Sequence, residues 1–123
     1  MNKTLQEKHG ELVAALAKPG SDILSSLTAQ DCHLIHMVLG VSGEAGELLD
    51  AIKKSVIYRK PLDMENVKEE ISDIMFYLRG LADALGFDQD TLLAFNIDKL
   101  QKRYPNATYS NKDAITRADK ETP

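Results

Sequence analysis

Glu44 and Glu47 stand three residues apart, and so do Glu70 and Asp73. Residues three apart share one face of a helix. Two such helices packed side by side bring four carboxylates to one place. Four carboxylates with no matching cations make a hard-oxygen site of the kind that holds Mg2+, with Mn2+ as a possible substitute. Either pair alone reads more simply as a solvated helix face. What sets these acids apart is that two pairs recur in matching positions on consecutive helices.

The apolar pattern supplies those helices. Leu34, Val38, Val41, Ala45, Leu48, Ile52 and Val56 recur in steps of four and three, and Val67, Ile71, Ile74, Leu78, Leu81 and Leu85 do the same. Both are seams with a period of about 3.5 residues, as in an antiparallel bundle. Each acid sits one residue before a seam residue, so both pairs are expected on the same flank of their seams, beside the shared core. Gly40, Gly43 and Gly46 lie around Glu44 where a solubilising flank would carry Lys. Each glycine costs roughly 1 kcal/mol of helix stability against Ala. They leave room for close helix approach or for a ligand.

The rest of the chain reads as helix too. A first amphipathic helix is expected over residues 3 to 17, with Leu5, His9, Leu12, Val13 and Leu16 on one face. Lys18-Pro19-Gly20-Ser21 ends it, and residues 21 to 27 form a connection. Thr28 with Asp31 resembles a capping box and opens a long helix to about Tyr58. Asp63 caps the next, which stops at Gly86, and Asp88 caps a last one that ends before Pro105. No strand alternation occurs. The class is all-α, an antiparallel bundle of about four helices in one domain over residues 1–105. Residues 106–123 form a polar tail, expected to be mobile or docked on a partner subunit.

Composition narrows the function. With 123 residues the chain can build a core without disulfides, and its single cysteine, Cys32, fits a reducing cytosol. A net charge of −4 gives no basic footprint for nucleic acid. The apolar runs are too short for a membrane span, and the N-terminus lacks the apolar stretch of a signal peptide. One Cys and three scattered His argue against zinc.

Gly-Glu-Ala-Gly-Glu-Leu-Leu-Asp followed by Lys-Lys, then Glu-Glu-Ile-Ser-Asp-Ile-Met-Phe-Tyr-Leu, resembles the MazG family of all-α nucleoside triphosphate pyrophosphohydrolases. Asn96-Ile97-Asp98-Lys99-Leu100-Gln101-Lys102-Arg103-Tyr104-Pro105 is similar to a later segment of the same family. Many members carry a further Glu just before the first acid, where this chain has Gly43.

The resemblance implies hydrolysis of a nucleoside triphosphate, ribo or deoxy, to the monophosphate and pyrophosphate. Mg2+ would then be held by Glu44, Glu47, Glu70 and Asp73, with Glu44 or Glu47 as general base. It also favours Lys99 and Arg103 as phosphate contacts, with Asn96 on the same face of the last helix as a further substrate-binding residue, against the plainer reading of a solvated basic helix end. Lys54 is a further phosphate candidate, although an i,i+4 pair with Asp50 accounts for it equally well. His36 lies about 12 Å of helix from Glu44 at ~1.5 Å per residue, a reach that suits a nucleoside, while a partly buried structural role also fits it. The resemblance further implies a homodimer or a dimer of dimers. Ile57, Met75, Phe76 and Leu93, which lie off the seams, agree with self-association.

Alternatives remain open at this level. A helical interaction or dimerisation module explains the seams without catalysis, and a phosphoribosyl-ATP pyrophosphohydrolase belongs to the same broad group. A di-iron bundle would need Glu-x-x-His motifs that the chain lacks.

Overall fold

The computed structural model describes residues 2–120, and every regular element among them is helical. In order these are α1 (Leu5–Leu16), α2 (Gly20–Ser26), α3 (Ala29–Val56), α4 (Met64–Leu85), α5 (Gln89–Arg103) and α6 (Asn111–Thr116), followed by a 3-10 turn at Ala118–Lys120. The chain divides into two compact units with the boundary between Cys32 and His33.

Local chemistry accounts for the boundaries. Thr4 and Glu7 form a reciprocal capping box at α1. Thr28 and Asp31 do the same at α3, each backbone N–H donating to the other side chain at 3.0 Å. Asp63 accepts from the Asn66 N–H at 3.0 Å, and Asp88 from the Thr91 N–H at 2.7 Å. Gly86 closes α4 with φ 78°, the left-handed conformation that only glycine adopts freely.

Two elements depart from the sequence reading. The expected connection at 21–27 is largely the helix α2, and the expected polar tail contains α6 and the 3-10 turn. Glycine and serine, poor helix formers, fill most of α2 and hide it from a propensity argument. In the tail, Ser110 caps α6 by accepting from the Asp113 N–H at 3.0 Å. The tail folds back on α5 of its own chain. Residues 121–123 of that tail lie outside the described residues.

The α3–α4 pair positions the acids. Met37 packs against Gly80, and Tyr77 against Gly40, so a step of three forward on α3 meets a step of three back on α4. The helices are therefore antiparallel, and the same register sets Glu44 level with Asp73 and Glu47 level with Glu70. A Cβ at Gly40 would overlap the Tyr77 ring, and one at Gly80 the Met37 sulfur. Gly43 and Gly46 face open space. Of the three glycines around Glu44, only Gly40 serves close approach.

The contact face is rotated from the expected seam. The less exposed residues of α3 include Leu34, Met37, Val41, Glu44, Leu48 and Ala51, and those of α4 include Val67, Glu70, Ile74, Tyr77 and Leu81. Glu44 and Glu70 thus stand inside the helix contact, not on its flank. Much of the expected seam remains exposed: Val38 51%, Val56 54%, Leu78 48% and Leu85 46%. The small residues explain the rotation. Gly40 and Gly80 let the two backbones come close only on the face that carries them.

This packing makes an opposed pair of expectations. Gly40→Ala should destabilise by about 1–3 kcal/mol, because the new methyl overpacks against Tyr77. Gly43→Ala should stabilise by up to ~1 kcal/mol, because it adds helix propensity where nothing stands in the way. Thermal denaturation of both variants checks this, and shifts of the same sign would contradict the packing.

Candidate active site

Glu44, Glu47 and Glu70 meet at the α3–α4 contact, each offering a carboxylate oxygen within 4.8 Å of the others. Glu70 is 7% exposed, Glu44 is half-buried and Glu47 faces solvent. Register alone brings them together. Glu44 and Glu47 lie one turn apart on α3, and Glu70 comes back along α4 at the level of Glu47.

The electrostatics are those of like charges under confinement. The Glu70 carboxyl is pushed up from its ordinary value near 4.5 to about 8. Hydrogen bonding to Glu44 is the first cause, followed by burial, then by hydrogen bonding to Glu47 and the charge of Glu47. Oε2 of Glu44 and Oε2 of Glu70 are buried with no hydrogen-bond partner among the described residues. A buried acceptor without a donor is costly, and more so when it is charged. No Lys or Arg pairs with the three acids among the described residues. All-oxygen donors, like charge and two unmet acceptors fit a hard divalent cation such as Mg2+.

The sign of the pH dependence follows. Glu70 holds its proton more tightly when folded than when unfolded. The stability this contributes is full below about pH 4.5 and is lost as pH rises through about 8. Metal-free protein should therefore lose Tm between about pH 5 and 8.5, relative to Glu70→Gln, whose side chain is permanently neutral. Thermal melts in chelator across this range check it. Parallel curves for the two proteins would contradict it.

The remaining candidates fall elsewhere. Asp73 is half-buried on α4 and lies outside the 4.8 Å group; it sits a turn beyond Glu70, and its carboxylate is one methylene shorter. Lys54 is paired with Asp50 at 2.9 Å, as the i,i+4 alternative anticipated. His36 is exposed, its ring edge-on to Tyr77 with centroids 6.1 Å apart. Asn96 is exposed on α5 and Lys99 half-buried there. Arg103 is engaged by a residue that the sequence reading passed over, Asp119, at 2.8 and 3.1 Å. Asp119 is missed because it follows a stretch read as unstructured. The available signal was Ser110-Asn-Lys-Asp113, a helix-start pattern of the same kind as Thr28 and Asp31.

Buried, unpaired acids on an antiparallel helix pair are now joined by a sequence match. Residues 33–108 match the MazG nucleotide pyrophosphohydrolase domain. The chain belongs to the MazG nucleotide pyrophosphohydrolase family. The MazG domain begins where the second compact unit begins, at His33, and it contains the whole acidic cluster. The Gene 37 protein of Mycobacterium phage L5 is 33% identical over 85 residues, which cover 61% of this chain and 73% of the phage protein. No solved structure matches. No helix among the described residues is long and apolar enough to cross a membrane. The MazG match gives the site a nucleotide as its substrate class.

Proposed function

We propose that this protein hydrolyses the α–β phosphoanhydride bond of a nucleoside triphosphate, ribo or deoxy, releasing pyrophosphate and the monophosphate in an Mg2+-dependent reaction. The observation that carries the reading is the burial of Glu44 and Glu70 in the helix contact with unmet oxygens. A solvated face or a plain dimerisation surface has no use for such groups.

In this reading Glu44, Glu47 and Glu70 hold the metal, with Asp73 as the fourth acid of the set. Bound there, Mg2+ or its substitute Mn2+ supplies charge neutralisation between the carboxylates and the phosphate oxygens. Glu47, the exposed member, is the better placed to take a proton from an attacking water, and Glu44 is the alternative. Lys99 and Arg103 on α5 contact the phosphates, and Asn96 on the same face adds a neutral contact. His36, exposed beside Tyr77, is placed to meet the nucleoside. Lys54, already paired with Asp50, is left a minor part. A cytosolic nucleotide pool is the setting that this substrate and an unpaired Cys32 suggest.

The decisive experiment is a screen of ribo- and deoxynucleoside triphosphates and phosphoribosyl-ATP, measuring pyrophosphate release with and without Mg2+. No release from any of them would sink the reading.

The reading includes self-association. Val38, Val56, Ile71, Leu78 and Leu85 form exposed stripes on α3 and α4. Only Met37, Ala51 and Ala82 are buried apolar residues among the described ones. Such stripes call for cover from a second copy. Light scattering at micromolar concentration should give at least twice the 13.6 kDa chain mass. A monomer mass would contradict this.

A further inference from the structure

Two arginines converge on one carboxylate at the end of α5. Arg103 Nε donates to Asp119 Oδ1 at 2.8 Å, and its Nη2 donates to Oδ2 at 3.1 Å. Arg117 Nε and Nη2 reach the same two oxygens at 3.4 Å each. The Asp119 side chain is 2% exposed, against 17% for Arg103 and 41% for Arg117. Arg103 first, then Arg117, holds the Asp119 carboxyl well below the usual carboxylate range.

This forked, two-point contact is the one that arginine offers a phosphate. Here the chain's own carboxylate fills it. The segment that brings Asp119 lies beyond the family match, which ends at residue 108. Its course also needs two non-glycine residues in left-handed backbone, Ala107 and Arg117, each with φ 54°. That conformation is disfavoured for side chains with a Cβ. The closed segment is therefore held by its contacts, the Asp119 ion pairs foremost, against its backbone preference.

We propose that the Arg103 guanidinium is an oxyanion site for a diphosphate group, that Asp119 occupies this site when the C-terminal segment, Arg117 included, is closed, and that diphosphate and Asp119 compete for it. The proposal rests on Arg103 being a phosphate contact, as read above, and it adds a control on that contact. Anion affinity is reduced by the fraction of molecules with the segment closed. Arg117, on the same segment as Asp119, helps to hold that carboxylate in the closed position.

The probe is inorganic pyrophosphate in the presence of chelator, so that no metal on the acidic cluster contributes. Calorimetry should show Asp119→Asn binding pyrophosphate about tenfold more tightly than wild type, since the competing charge is gone. The double variant Arg103→Ala/Asp119→Asn should lose that gain. In the wild type, hydrogen exchange over residues 110–120 should quicken on adding pyrophosphate, a readout that needs no variant to fold. Equal affinity of wild type and Asp119→Asn, a gain that survives loss of Arg103, or exchange that is unchanged or slower would each overturn the proposal. Triphosphate hydrolysis by the wild type is scored separately. Its absence would remove the enzymatic reading, while tighter binding by Asp119→Asn would still establish the oxyanion site.

Discussion

Glu47→Gln and Glu70→Gln are each expected to lower kcat/KM for pyrophosphate release by at least about a hundredfold, since groups merely supporting a metal ligand already cost roughly 10–100-fold when removed. Glutamine keeps the shape of glutamate and removes one charge. Three carboxylates share one small space, so each is a large fraction of the attraction for a divalent cation. Calorimetric Mg2+ titration should show the affinity falling together with the rate.

The two variants should part company in stability. Glu47 is exposed, and its substitution should leave the metal-free fold nearly unchanged. Glu70 is buried and carries a carboxyl pushed up to about 8, so its substitution should raise metal-free Tm at pH 8 while abolishing metal binding. A gain in stability coupled to a loss of function is the mark of an acid retained for a ligand. Near-wild-type turnover of both variants at limiting Mg2+ would end the metal assignment.

The second large effect is expected on α5. Lys99→Ala and Arg103→Lys should each cost on the order of 2–4 kcal/mol in kcat/KM, the scale of one lost contact to developing charge. In the proposed reaction the scissile bond lies between the α and β phosphates, and the departing pyrophosphate gains charge as it leaves. Contacts that strengthen with that charge lower kcat as well as kcat/KM, whereas contacts made equally throughout raise only KM. The first pattern is expected. Arg103 also anchors Asp119 through both of its forked bonds, so Arg103→Lys should lower Tm too; Lys99 makes no ion pair among the described residues. Lys99→Ala is therefore the cleaner probe. Lys112→Ala, exposed on α6, is the control and should be silent. If Lys99→Ala is equally silent, the last helix is only a solvated basic end.

The sequence by itself determined the all-α class, because period-3.5 apolar spacing and side-chain caps are local properties. Thr28 with Asp31, Asp63, Asp88 and Gly86 place helix ends within a residue or so wherever their chemistry is read. The acids were legible for the same reason: a spacing of three fixes a shared helix face whatever the helix packs against. Which face packs is not local. The apolar stripe through Val38, Ala45 and Ile52 is the more hydrophobic one, yet α3 and α4 meet on the stripe through Met37, Gly40 and Glu44. Only there do Gly40 and Gly80 admit Tyr77 and Met37 from across the contact. That choice buried Glu44 and Glu70 in the seam and set Glu70's proton affinity, and it left Asp73 outside the group. Arg103 shows the same limit from the other side. Its charge is plain in the sequence, but its partner lies 16 residues away in a segment of low apolar content. Only the folded chain, turned back at Ala107 and Arg117, brings Asp119 to it, because an ion pair between distant residues depends on the path of the backbone and not on either residue alone.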